Sequence, residues 1–173
     1  MKTIVIYNSQ TGFTKRYAKW IVQATGADCL ELSAAKEKDL SVYETIIFGS
    51  WAWAGSIKKI SWFKENIDKW TDKKLIVFCV GASPIDNPEI EAVFNQIFNE
   101  SQRKKVNIFY CPGGLNYEKM STTSKVMMKI FVKTLKAKKD KTKEEQVMIK
   151  MLSSSYDISD KKYIEPILQC LKE

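Results

Sequence analysis

Five short runs rich in apolar and β-branched residues punctuate this chain, and helical patterns stand between them. The runs are Thr3–Tyr7, Asp28–Leu32, Thr45–Gly49, Lys74–Val80 and Val106–Cys111. Several are apolar without interruption, as a strand must be when both faces of its sheet are covered. Helical periodicity is expected over Phe13–Ala24, Ile57–Lys69 and Pro88–Glu100, with Pro88 suited to a first turn and Asn87 to its cap. Strands alternating with helices imply an α/β fold with a doubly wound, five-stranded parallel sheet. At 173 residues the chain fits one domain with a sizeable core.

The first strand runs into Ser9-Gln10-Thr11-Gly12-Phe13-Thr14, and an amphipathic helix follows. A helix opening at a strand end aims backbone N–H groups and the positive end of its dipole at one spot, which suits a phosphate. Ser9, Thr11 and Thr14 add hydroxyls, and Gly12 permits close approach. The same residues also suit an ordinary helix cap, and the turn alone does not choose between the two. It is no Walker loop, since no lysine lies within it, and the chain has no GxGxxG.

Composition narrows the chemistry. The chain has no histidine, which removes Ser-His, Cys-His and His-metal arrangements. Its four cysteines are scattered with no CxxC pair, so neither a disulfide framework nor a metal site is expected. An enzyme of this composition would rely on a cofactor. The first strand begins almost at once, and no apolar run approaches the ~20 residues of a membrane span. A cytoplasmic protein is expected, with peripheral membrane contact left open.

Two further segments leave predicted strand ends with unusual composition. Ser50-Trp51-Ala52-Trp53-Ala54-Gly55-Ser56 sets two tryptophans among small residues, where an aromatic face can stack on a planar ring. One ring is expected to pack beneath this loop and the other to face the ligand. Gly81-Ala82-Ser83-Pro84-Ile85-Asp86-Asn87 offers backbone groups that could read the edge of a heterocycle, although such a sequence is also an ordinary turn.

A hydroxyl turn, an aromatic loop and a backbone-rich loop in this order resemble the flavodoxin family, whose [ST]-x-T-G-x-T pattern is met by Ser9 to Thr14. The resemblance implies strand order 2-1-3-4-5 and FMN as cofactor. It implies that Ser9, Gln10, Thr11, Gly12, Phe13 and Thr14 hold the phosphate. Ser50, Trp51, Ala52, Trp53, Ala54 and Gly55 would lie on one side of the flavin ring, and Gly81, Ala82, Ser83 and Asp86 along the other. Gly113-Gly114-Leu115-Asn116-Tyr117 followed by a basic helix is similar to the flavodoxin-domain group that includes menaquinone-dependent protoporphyrinogen dehydrogenase.

The C-terminal part departs from strand–helix alternation. Residues 117–155 read as a helical elaboration before a closing helix over Ser159–Leu171, with helices expected over Thr122–Lys138 and Glu144–Leu152. Between residues 119 and 143 stand nine lysines against one acid, Asp140, which accounts for the whole net charge of +8. Lys125, Lys129, Lys133 and Lys136 recur at helical spacing, opposite an apolar stripe of Val126, Met127, Ile130, Phe131 and Leu135. The favoured expectation is that the stripe covers the sheet edge while the lysines face solvent. Contact with an anionic membrane is the alternative. Nucleic-acid binding has charge in its favour and no motif.

The leading functional reading is an FMN-dependent oxidoreductase passing hydride or electrons between flavin and a quinone, a porphyrinogen or a similar small molecule, with no protein acid or base assigned. The alternatives are a non-enzymatic electron carrier, which the local positive charge disfavours, and a flavodoxin-like scaffold that has lost its ligand.

Overall fold

The structure, a computed structural model, describes residues 2–173, the side chain of Glu144 excepted. In chain order its elements begin with β1 (Thr3–Tyr7), α1 (Phe13–Thr25), β2 (Asp28–Glu31), α2 (Leu32–Ala35), β3 (Thr45–Trp53) and β4 (Ser56–Ile57). They continue with α3 (Ile60–Lys64), β5 (Lys74–Gly81), α4 (Glu89–Ile97), α5 (Glu100–Lys105) and β6 (Val106–Pro112). The last are β7 (Gly114–Leu115), α6 (Thr122–Ala137), α7 (Lys143–Met151), β8 (Tyr156–Asp157) and α8 (Glu165–Cys170).

The five apolar runs form a parallel sheet in the order β2-β1-β3-β5-β6. Because β4 is only a hairpin arm on β3, this is the 2-1-3-4-5 order expected from the sequence. Alternation along each strand splits the core in two. Ile4, Ile6, Ile46, Phe48 and Val77 point to one face, against Phe63 of α3 and Phe94 and Ile97 of α4. Val5, Ile47, Ile76, Phe78 and Val80 point to the other, against Tyr17 and Ile21 of α1 and Ile167 of α8. Each such fully buried side chain contributes ~1.5–3 kcal/mol through apolar transfer, so the unbroken apolar runs follow directly from burial on both faces. Across the second face the Tyr17 hydroxyl donates to the Pro112 carbonyl (2.5 Å) and accepts from the Asp160 N–H (3.2 Å), tying α1, β6 and the C-terminal segment together.

Several boundaries differ from the sequence reading. The helix expected over Ile57–Lys69 is α3 followed by a 3₁₀ turn at Ile67–Lys69. The helix expected to reach Glu100 stops at Ile97, because Phe98 turns extended and Asn99 starts α5 with its own capping box to Gln102. Asn87 does accept from the Glu89 N–H (2.9 Å), as a cap should. The closing helix is a 3₁₀ turn at Lys161–Ile164 followed by α8.

Beyond β6 the chain leaves the sheet. β7 pairs antiparallel with β8, so the start and end of the helical elaboration lie side by side. Gly114 is required there: its φ is +145°, and a Cβ would run into the Tyr156 carbonyl. Between these strands α6 and α7 form a hairpin, capped by Ser121 and by a Thr142–Glu145 capping box. One expectation is corrected here. The apolar stripe of α6 does not cover the sheet edge: Val126, Met127, Ile130 and Phe131 are 45–55% exposed. The reason is rotational. The side of α6 that turns inward carries Ser124, Met128 and Val132, and of the expected stripe Leu135 alone joins them.

Candidate functional site

The chain ends of β1, β3 and β5 meet at the carboxyl edge of the sheet. Tyr7 pairs with Gly49, and Trp51 with Val80, so the three segments that follow these strands are neighbours. The chain winds outward from β1 to β2 and then back to β3, which makes this edge the point where ligands bind in open α/β sheets.

Ser9 to Thr14 form the first wall. Gly12 is the residue before α1, with φ 100° and ψ −15°, and no side chain caps the helix. The capping alternative is therefore not what these hydroxyls serve. Ser9 Oγ accepts from the Gly12 N–H (3.2 Å), which tightens the turn, and the first N–H groups of α1 remain for another acceptor. Thr11 is half-buried at the rim, Gln10 and Gly12 are exposed, and Phe13 and Thr14 are buried below it. Asn8, just before the turn, donates to Ser50 Oγ (3.1 Å) and joins the first wall to the second.

The second wall is a hairpin, not the loop expected from composition. β3 continues through Trp53, turns at Ala54-Gly55 and returns as β4. Ala54 and Gly55 both have positive φ (47° and 72°), the requirement of a tight two-residue turn whose twist matches the strands. In a strand, residues two apart share a face, so Trp51 and Trp53 stand on the same side and Ala52 on the other. Both rings are half-buried. Trp51 Nε1 is buried and unpartnered, and the Lys58 ammonium lies 4.6 Å from the Trp53 ring centre. Ser50 is wholly buried and supports the wall from beneath.

The third wall, Gly81 to Asp86, is held by two tyrosines. The Tyr110 hydroxyl accepts from the Ser83 N–H (3.0 Å) and donates to the Ser83 carbonyl (2.8 Å). The Tyr156 hydroxyl donates to the Ala82 carbonyl (2.6 Å). Burial pushes the Tyr156 hydroxyl up to about 12 and Tyr110 further still, so both stay protonated and keep donating. Asp86 and Ile85 are exposed at the tip. Neither tyrosine, nor Asn8, is marked by any local motif.

The helical elaboration touches all of this. Ser124 Oγ donates to Gln10 Oε1 (2.9 Å), and Arg16 donates to Asp157 (2.5 Å) and Ser159 (2.7 Å). Burial pushes the Asp157 carboxyl up, but bonds from Arg16 and Ser159 outweigh it and hold the group below the usual carboxylate range. Between the turn and the elaboration opens a cavity of about 390 Å³, whose lining includes Thr11, Gly12, Arg16, Asn116, Lys119 and Ser155. A second cavity of about 430 Å³, lined by Lys36, Trp62, Trp70 and Lys73 among others, lies outside the three walls. Tyr117 serves as an anchor, its hydroxyl donating to the Leu152 carbonyl (2.6 Å).

No cluster of metal-ligating side chains exists among the described residues. All four cysteines are free thiols, and burial pushes Cys79 up to about 12. The site's own residues can bind and orient a ligand. A phosphate fits the turn because it accepts from main-chain N–H groups that the fold leaves uncapped. Beside it stand the tryptophan hairpin and the loop held by Tyr110 and Tyr156.

The family model of the flavodoxin domain matches residues 4–142. Among solved structures, a flavoprotein from Bacteroides uniformis is similar at 22% identity, over 64% of this chain and 88% of that one, with TM-score 0.42. A flavoprotein in complex with FMN from Lactobacillus acidophilus is similar at 17% identity, over 64% and 91%, with TM-score 0.40. Oxidised flavodoxin 2 from Bacillus cereus follows at 21% identity, over 64% and 84%, with TM-score 0.41. No curated protein matches the chain.

Proposed function

This chain belongs to the flavodoxin-domain family, and we propose that it is an oxidoreductase that binds FMN along the carboxyl edge of its sheet. The observation that carries this reading is the hydroxyl turn Ser9–Thr14 opening α1 with no side-chain cap. Main-chain N–H groups of that turn, with Ser9 and Thr11, would hold the phosphate. Ser50–Gly55 would lie on one side of the flavin ring and Gly81–Asp86 along the other. The bound cofactor supplies hydride or electron exchange. The chain's own residues bind it, hold the third wall through Tyr110 and Tyr156, and keep the walls in register through Asn8.

We take the redox partner to be a quinone, a porphyrinogen or a similar small molecule. Two features support this. The Gly113–Tyr117 segment and its helical elaboration are similar to the group that includes menaquinone-dependent protoporphyrinogen dehydrogenase. The cavity beside the turn also presents Lys119, which suits a ligand bearing a carboxylate, while Arg16 in the same lining is paired with Asp157. The local charge of +8 sets the chain apart from an acidic electron carrier that docks on protein partners.

Titration of the purified protein with FMN tests the cofactor. Equimolar quenching of flavin fluorescence is expected, and the Thr11→Glu variant should lose it, because a carboxylate would face the phosphate. A colourless protein that leaves the fluorescence unchanged overturns the assignment. Multiple turnover of a soluble quinone by the reduced protein separates the enzyme from the carrier.

A further inference from the structure

Among the described residues seven large apolar side chains stand exposed, and five of them belong to the α6–α7 hairpin: Val126, Met127, Ile130, Phe131 and Val147. Successive helix positions turn by about 100°. On α6 this puts Val126, Met127, Ile130 and Phe131 in one arc of about 140°. The inward side, from Ser124 to Val132, occupies a second arc. Lys125, Lys129, Lys133 and Lys136 fill the third, which borders the exposed apolar arc directly.

The helix thus has a packed side, an unpartnered apolar side and a cationic flank between them. The hairpin adds nothing to either core cluster, so its apolar side is not awaiting a place in this fold. Charge selects the occupant. A second copy would bring two segments of +8 face to face, which repel. A nucleic acid would take the lysines and leave the apolar arc in water. The arc is also the convex surface of a helix. A fluid anionic lipid surface needs no register, accepts the apolar arc into its headgroup boundary and attracts the lysines, whose stems can reach around the helix.

We propose that the α6–α7 hairpin docks this protein on an anionic lipid surface, with the Val126–Phe131 face entering the headgroup region and the adjoining lysines on the lipid phosphates. No helix among the described residues is long and apolar enough to cross a membrane, so the attachment is peripheral. The hairpin surface stands apart from the cofactor reading.

Sedimentation of the purified full-length protein with lipid vesicles tests this. The protein is expected to pellet with phosphatidylglycerol vesicles at low salt, to leave them as salt rises, and to stay in the supernatant with phosphatidylcholine. Ile130→Glu combined with Phe131→Glu should weaken the partition at least tenfold. Both side chains are exposed, so the fold should persist, which circular dichroism checks. Replacing Lys129, Lys133 and Lys136 with Gln should weaken it about a hundredfold, since each lysine near such a surface strengthens binding about fivefold. Wild type that stays in the supernatant with phosphatidylglycerol at low salt overturns the proposal, as does either variant binding like wild type. A dimer that dissociates in the Ile130→Glu/Phe131→Glu variant would assign the face to a second copy and overturn it equally.

Discussion

Gly12 combines a left-handed backbone with open space: no atom stands within 4 Å of where its Cβ would lie. Substitution there isolates backbone strain from collision. Gly12→Ala is expected to destabilise the fold by about 1–2 kcal/mol, read in chemical denaturation, and to loosen FMN because the turn shifts. Tyr110→Phe acts on the other side of the site. It leaves the Ser83 N–H and carbonyl without their partner, and the expected loss is about 1–3 kcal/mol, with weaker FMN affinity in the same titration. These two residues were not equally readable. The phosphate turn is written locally, because main-chain donors need short hydroxyls and a glycine at fixed offsets. The tyrosine tethers are not: Tyr110 reaches back 27 residues and Tyr156 back 74 to the same loop. A side chain pinning a distant backbone leaves no period and no motif in its own neighbourhood.

At the scale of elements, the principal strands were legible because burial on both faces demands unbroken apolar runs. The tryptophan hairpin was not. Its turn is Ala54-Gly55, without the Asn-Gly or Asp-Gly pair that marks such turns, and alanine bears the positive φ. Ala54→Asn should therefore stabilise the protein by up to about 1 kcal/mol, seen as a raised melting temperature, because asparagine tolerates this backbone. The amphipathic pattern of α6 was equally legible in period and misread in direction, since periodicity marks an apolar side without saying what it meets. The Arg16–Asp157 pair gives the elaboration a pH-dependent hold on α1. The Asp157 carboxyl sits lower in the folded chain than in the unfolded one. Its contribution is therefore complete above the ordinary value of about 4 and fades as pH falls through the lower folded value. Both side chains are nearly half-exposed, so the contribution is at most about 1 kcal/mol. Asp157→Asn should remove that part of the acid sensitivity, which denaturation curves at pH 7 and below pH 4 would register.

The whole molecule divides into a two-faced sheet domain and an excursion anchored at its carboxyl edge. Neither core cluster contains a residue between Cys111 and Tyr163. β7 and β8 close the base of the excursion, and the Tyr117 N–H donates to Ser155 Oγ at 3.0 Å, so its two ends nearly touch. Replacing residues 118–154 with a two-residue turn therefore asks little of the rest of the chain. What is lost is the buried Leu152 with its bond from the Tyr117 hydroxyl, the Ser124–Gln10 bond, Lys119 of the cavity and the exposed hairpin. The shortened protein should unfold cooperatively, with a melting temperature lowered by several degrees for a loss of about 1–2 kcal/mol. It should still quench FMN fluorescence, since all three walls and Tyr156 remain, and it should no longer sediment with phosphatidylglycerol vesicles. Aggregation of the shortened chain, or a broad non-cooperative transition, would show that the excursion is needed to fold the sheet domain. A shortened chain that still pellets with the vesicles would move the lipid contact elsewhere, because the lysines between 119 and 143 carry the entire excess of positive charge.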